Sequence, residues 1–339
     1  MTHANTPAQR TTIASLQPGQ RLEEEVYRIA SKDLRTTSNG GLYIHAVLAD
    51  GTGQILARMW NATQALYDAM PEGGFLYFRG RVESYKGARQ FIIDGVRSVP
   101  EGAVTARDFL PHTRYNVEQM WSRVKEILRQ IKQPDLLALI GRFMKDDAFT
   151  RGFQLAPAAR TNHHAYLGGL LEHTLNLLEL AVLVTPRYPQ LSMDLVLAGI
   201  FLHDAGKVAE LAYEANFEYT DDGQLLGHIV QAVLWIQNKA REVERDAGKP
   251  FPADVLNMLQ HVILAHHGKY EFGSPKLPAI PEAVLVHHLD NLDAKVHMML
   301  GEIAKDNDSA ARWTNWVSAL ETKVFKADPF GTRGNDPTP

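Results

Sequence analysis

Eleven of the fourteen histidines in this 339-residue chain fall between His163 and His297. Solvated surface residues have no reason to concentrate like this. Five short segments in that stretch combine imidazoles with carboxylates: Gly168-Gly-Leu-Leu-Glu-His173-Thr174, Leu202-His203-Asp204-Ala-Gly-Lys207, Gly227-His228-Ile229, Ala265-His266-His267-Gly268-Lys269 and His287-His288-Leu289-Asp290-Asn-Leu-Asp293-Ala294. Each lies in, or at the end of, an apolar run. Burying so many titratable groups is costly unless something compensates, and a metal cation does so directly. Imidazole and carboxylate donors suit Mn, Fe, Co or Zn. There is no cysteine, which excludes disulfides and thiolate metal sites alike. A lone histidine on an apolar helix is more often a satisfied core residue. Five ordered segments favour a metal site.

These segments need helices to hold them. From Asn116 onward the apolar period is helical: Val117, Met120, Trp121, Val124, Ile127, Leu128 and Ile131 follow i, i+3, i+4 spacing. Pro134 opens a helix running to about Lys145. Further helices are expected over His164–Leu183, Met193–Leu202, Gly223–Ala247, Ala253–His266 and Pro281–Ala304, with Ser309–Phe325 closing the fold. The preceding part reads as β. Strands are expected at Leu22–Ala30, Leu42–Leu48, Gln54–Trp60, Phe75–Ser84 and Arg89–Val99, separated by Gly-rich turns. Asn61 can cap a short helix through Met70. Five strands with one helix between the third and fourth match the order of an OB barrel.

The fold class is therefore multidomain α and β: a five-stranded OB-type barrel followed by an all-α domain. The expected boundaries are a flexible leader at 1–18, the barrel at 19–100, a helical linker at 101–155, the helical metal domain at 156–305, a C-terminal helix at 306–326 and a disordered tail at 327–339. In OB barrels, bases stack on exposed rings while Lys or Arg holds phosphates. Tyr43, Arg58, Trp60, Tyr85, Lys86 and Arg89 are the candidates, with the alternative that Tyr43 and Trp60 merely fill the barrel.

Apolar residues at 45% and charged residues at 22% are ordinary for a globular protein. No window approaches the ~18 consecutive apolar residues of a membrane span, so no membrane partner is expected. The N-terminus lacks a secretory h-region. Together with absent cysteine, this favours the cytoplasm. The net charge of −4 gives no global nucleic-acid signature. It is uneven: ten basic and nine acidic side chains over Gln20–Pro100, against 24 and 30 from Glu101 onward.

The five segments closely resemble the HD superfamily of metal phosphohydrolases, in the longer H…HD…H…H…D form that supports two metals. By that resemblance His173, His203, Asp204 and Asp290 would hold one ion. Asp204 would bridge to a second, held by His228 and His266, with His267 as the alternate. Asp290 is preferred over Asp293 because the family places its ligand at the start of an Asp-x-x-Asp-Ala run. Lys207, i+3 from Asp204, would neutralise a substrate phosphate oxygen. His163 and His164 would touch substrate phosphate or serve as loop residues. His287, His288 and His297 read as structural or exposed.

The order of barrel, helical linker and HD domain resembles the YhaM-type bacterial 3′–5′ exoribonucleases from about Leu22 to Ala304. Shared wording includes Asn162-His-His-Ala-Tyr166, His266-His-Gly-Lys269 with Gly273-Ser-Pro275, and Leu289-Asp-Asn-Leu-Asp-Ala-Lys295. The resemblance implies two divalent ions, Mn²⁺ first and Fe²⁺, Co²⁺ or another transition metal as alternatives. It implies single-stranded RNA as substrate, with single-stranded DNA as a second candidate, and homo-oligomerisation. The low basic charge predicts modest affinity, with grip from stacking and metals rather than counterion release. One alternative is a phosphodiesterase for a small nucleotide or cyclic dinucleotide. Those relatives carry Gly-Tyr-Pro after the His-His pair, where this chain has Gly268-Lys-Tyr-Glu-Phe-Gly-Ser-Pro275. Another is a non-catalytic nucleic-acid-binding protein with a vestigial site.

Overall fold

The computed structural model describes residues 10–85, 87–100, 102–104, 109–160, 164–213, 217–306 and 311–332. They fall into two compact units, divided between residues 111 and 112.

The first unit is a closed barrel of β1 (Arg21–Thr36), β2 (Leu42–Asp50), β3 (Gly53–Trp60), β4 (Phe75–Tyr85) and β5 (Ala88–Ser98), in the order β1-β2-β3-β5-β4. The short helix α1 (Gln64–Asp68) lies between β3 and β4, as an OB fold requires. Alternation sends Ile44, Ala46 and Leu48 of β2 and Ile55 and Ala57 of β3 inward. Tyr27, Ile29, Phe78 and Phe91 fill the interior. β1 runs further than its apolar pattern suggests, because a bulge between Ile29 and Ser31 lets it continue along β2. The cap of α1 is Thr63, whose hydroxyl accepts the Leu66 N–H at 3.2 Å. Asn61, expected in that role, instead takes a left-handed φ of 54°.

The leader needs correction over its described part. Ile13 and Leu16 are fully buried in the barrel core. Ile13 N–H donates to Asp50 Oδ2 at 2.7 Å, and Arg89 donates to Leu16 O at 2.6 Å. The pattern was too short to read as periodic, yet two apolar side chains suffice to plug a small barrel. Residues 1–9 lie outside the described residues.

The second unit is helical. Its helices are α2 (Val117–Leu128), α3 (Pro134–Met144), α4 (Asp147–Leu155), α5 (Gly169–Val184), α6 (Met193–Leu202), α7 (Lys207–Glu210), α8 (Asp221–Leu225), α9 (Gly227–Ala247), α10 (Ala253–Ala265) and α11 (Pro281–Lys305). The expected linker is no linker over its helical part. Met120 and Val124 of α2, Leu139 and Phe143 of α3, and Phe149 and Phe153 of α4 share one core with α5, α6, α9 and α10. α6 is apolar all round, with every residue from Leu195 to Leu202 buried, so it is the central helix. The expected helix from Gly223 breaks at Gly227, whose φ of 71° separates α8 from α9. α5 begins at Gly169 rather than His164, because Gly168 takes a φ of 80°.

A two-stranded ribbon of β6 (Leu211–Ala212) and β7 (Glu218–Tyr219) lies between α7 and α8. The expected C-terminal helix at 306–326 is instead a hairpin of β8 (Trp313–Val317) and β9 (Thr322–Phe325). Trp313, Trp316, Val317, Leu320 and Val324 are spaced as on a helix. The chain reverses instead at Glu321, with φ 51°, and Trp313 meets Phe325 across the strands at 4.9 Å between ring centroids. Of the expected tail, residues 327–332 are described and 333–339 lie outside the described residues. Among the described residues, no helix is long and apolar enough to cross a membrane.

Candidate metal centre and barrel face

α6 delivers His203 as its C-cap and Asp204 immediately after, both buried in the core. Such a pair can persist there only if every polar atom finds a partner. α5 supplies His173, α9 supplies His228, α10 ends into His266, and α11 supplies Asp290. Gly206 permits this approach: a Cβ there would sit 2.1 Å from the His228 carbonyl oxygen.

The side chains form two groups that share Asp204. On one side, His203 Nε2 lies 3.3 Å from both Asp204 Oδ2 and His173 Nε2, and His173 Nε2 lies 3.2 Å from Asp290 Oδ1. On the other, His228 Nε2 and His266 Nε2 lie 3.4 and 3.7 Å from Asp204 Oδ1. His173, His203 and Asp204 form one set with metal-compatible spacing, and His228, His266 and His267 form another.

The far sides of the rings are committed. His203 and His266 donate from Nδ1 to Ile200 O and Ile263 O at 2.6 and 2.7 Å. His228 Nδ1 lies 2.8 Å from Glu210 Oε1, and His173 Nδ1 lies 2.7 Å from Asp293 Oδ2. Such outer partners fix the orientation of each ring and, when the ring is neutral, the tautomer that turns the Nε2 lone pair inward. Three inward atoms, Asp204 Oδ1, His228 Nε2 and His266 Nε2, are buried without a hydrogen-bond partner. Orphaned acceptors are expensive in a protein interior, and a divalent cation satisfies all three at once. The donor set therefore fits a metal centre.

The electrostatics agree. Burial alone would raise the Asp204 carboxyl, yet Lys207 and His203 hold it well below the usual range. Burial likewise opposes the charged form of Lys207, but Asp204 at 2.6 Å raises its pKa. Burial, with His267 and His203 nearby, pushes His266 well down, leaving it neutral as a ligand must be.

Asp290 and Asp293 separate clearly. Asp290 faces His173 Nε2, whereas Asp293 holds His173 Nδ1 and is itself tied to Asn176 at 3.0 Å. His266 points inward, while His267 joins it in the second set and donates its Nδ1 to Phe272 O at 2.8 Å. Of the two expectations for His164, its surroundings favour the loop role over phosphate contact. It is fully buried, with ring nitrogens 2.8 Å from Tyr166 Oη and 2.9 Å from Asp293 Oδ2, and it stacks on His297 at 3.8 Å. It shares Asp293 Oδ2 with His173 Nδ1 and so buttresses that ring. His163 lies outside the described residues. His287 is structural, donating to His266 O at 2.8 Å, and His288 is exposed. Sequence reasoning missed Glu210, Glu172, Asn176 and Thr113, the last of which donates to Glu172 at 2.5 Å. Each looks like an ordinary helix or loop polar residue until its burial is known.

On the barrel, Tyr43 and Trp60 stand opposite each other in the β2–β3 register with ring centroids 5.1 Å apart. They point away from the interior that Ile44 and Ala57 occupy, so neither fills the barrel. Arg58 lies 5.8 Å from the Trp60 ring and 5.1 Å from the Tyr85 ring. His45 and Arg35 share this face, opposite Arg58 and Tyr43 respectively. Arg89 leaves the set because its guanidinium tethers the leader. Lys86 lies outside the described residues.

The HD domain family matches residues 170–295. The chain is 36% identical over 305 residues to the 3′–5′ exoribonuclease YhaM of Bacillus subtilis, covering 89% of this chain and 93% of that protein. It is 34% identical over 308 residues to the protein of the same name from Bacillus velezensis, covering 91% and 95%. The Geobacillus sp. protein of that name is 34% identical over 296 residues, covering 87% and 88%.

Proposed function

The chain belongs to the YhaM family of 3′–5′ exoribonucleases, and on that premise we propose that it shortens single-stranded RNA from the 3′ end by hydrolysis at the metal centre. It is a metal-dependent hydrolase carrying an HD domain. In the finer reading, His173, His203, Asp204 and Asp290 hold one divalent ion. Asp204, His228 and His266 hold a second, with His267 as the alternate. Two such ions supply an activated water and neutralise charge developing on the phosphate. Manganese leads among the metals, with iron and cobalt as alternatives.

The observation that carries this reading is the convergence of three buried, unpartnered atoms, Asp204 Oδ1, His228 Nε2 and His266 Nε2. Asp204 positions Lys207 by a 2.6 Å bond, keeping a cation ready for a phosphate oxygen. Tyr43, Arg58, Trp60 and Tyr85 give the barrel a stacking face suited to a strand rather than to a small diffusible nucleotide. Single-stranded DNA as a second substrate, self-association and a cytoplasmic location complete the reading.

The test uses metal-free protein and 5′-labelled single-stranded RNA, with and without Mn²⁺. A ladder shortening from the 3′ end, only with metal, is expected. Cleavage confined to cyclic dinucleotides, or binding without any cleavage, overturns the reading.

A further inference from the structure

Beyond α10 the chain makes a tightly held loop. Gly268 turns it with a φ of 77°, and a Cβ there would lie 2.2 Å from the His287 ring. Residues Tyr270–Phe272 then form one 3₁₀ turn, ended by Gly273 with a φ of 83°. Phe272 N–H and Ser274 N–H both donate to Lys269 O, and Gly273 N–H donates to Tyr270 O. Ser274 is buried, its Oγ 2.9 Å from Leu264 O and Lys276 O. This rigid frame holds its two aromatic rings out in solvent: Tyr270 is 61% and Phe272 56% exposed. Lys269 stands beside them, its Nζ 5.5 Å from the Phe272 ring centroid. The loop is coupled to the metal centre, because His267 donates its Nδ1 to Phe272 O at 2.8 Å. That same imidazole belongs to the set with His228 and His266.

We propose that Lys269, Tyr270 and Phe272 form a platform for the 3′-terminal nucleotides of a single strand, rings stacking on bases and Lys269 meeting a backbone phosphate. The proposal rests on the exoribonuclease reading above. An enzyme that removes one nucleotide after another must grip every new end whatever its base. Stacking does this, because every base has a π face. A base platform must also lie near the residues that would hold the ions and their activated water, and the His267 bond ties this loop to them. Exposed Glu271 lies between the two rings in the chain, and exposed Lys269 precedes them. The surface is therefore a pair of separate stacking faces with a cation, not the continuous apolar patch that a protein partner would cover.

The test places 2-aminopurine at the 3′ terminus of a single-stranded RNA and adds metal-free protein. Binding should quench the probe. Phe272→Ala and Tyr270→Ala should lose that quench, while a probe far from the 3′ end responds as in the wild type. With Mn²⁺ present, each alanine variant should show KM raised about tenfold or more with little change in kcat. An abasic 3′ end should raise the wild-type KM similarly and add nothing further to the variants. Tyr270→Phe should behave as wild type, because it keeps the ring. If wild type degrades RNA and the alanine variants match it in quench and KM, the platform is overturned and the nuclease reading stands. If wild type itself neither binds nor shortens RNA, the nuclease reading fails first.

Discussion

Glu210 holds His228 twice through one oxygen: Oε1 accepts the backbone N–H at 3.0 Å and lies 2.8 Å from the ring Nδ1. This fixes both the rotation of the imidazole and the nitrogen it turns toward Asp204. Burial disfavours the Glu210 carboxylate, but the His228 bonds hold its pKa down. Glu210→Gln keeps the shape and removes the charge. Divalent-metal affinity of the group containing His228 should fall roughly 10–100-fold, the usual cost of losing an outer partner. Isothermal titration with Mn²⁺ checks this, and unchanged curves would remove Glu210 from that role.

Asp204→Asn should be more severe, because one carboxylate serves both groups. The loss of RNA hydrolysis should exceed the roughly 10–100-fold typical of outer-shell changes. Elemental analysis after metal loading and desalting should find both ions depleted together. Retained cleavage in this variant would falsify the metal reading outright.

Metal uptake should depend on pH. Burial opposes the charged form of His173, but hydrogen bonds to Asp290 and Asp293 outweigh it and raise the metal-free group to about 10. A protonated ring cannot ligate, so binding must expel the proton. The apparent Kd for Mn²⁺ should therefore rise as pH falls from about 9 to 6, with heats that vary with the buffer's ionisation enthalpy. For metal-free protein the sign is opposite. A raised histidine stabilises the fold fully below its unfolded value near 6.5, and that contribution disappears as pH climbs through about 10. Thermal melts of apo protein across that range measure it.

Removing the Trp60 ring should weaken single-stranded oligonucleotide binding by about 1–3 kcal/mol, the worth of one stacked base. Arg58→Gln should lower the salt slope by about 0.7, one phosphate contact on a single strand. Fluorescence anisotropy at several salt concentrations reads both. Hydrolysis of a dinucleotide, too short to need the barrel, should be unaffected.

The histidines and aspartates that gather around Asp204 were legible because each sits in or at the end of an apolar run, where a titratable residue is conspicuous. Their supports were not. Glu210 and Asn176 have apolar neighbours too, Ala209 and Leu211 for one and Leu175 and Leu177 for the other, but nothing local says that either side chain turns to a histidine or a supporting carboxylate rather than to solvent. For His164, phosphate contact and a loop role could not be separated from the sequence, because its enclosure between Asp293 and His297 comes from residues of the distant α11. The barrel strands were legible through alternation and Gly turns, but the Ile13–Leu16 plug was not, since its contacts come from residues far along the chain. The hairpin at Trp313–Phe325 shows how tertiary pairing overrides a helical period when the turn residue can adopt positive φ.

Asp290 sits on α11, after every other member of the two groups that meet at Asp204. A ribosome therefore releases the other members well before the carboxylate that completes the first group. A half-made polypeptide can bury α5 and α6 against each other, but it cannot close the set around His173. A polypeptide that ends before α11 therefore lacks the carboxylate that faces His173 Nε2, whatever else it has folded.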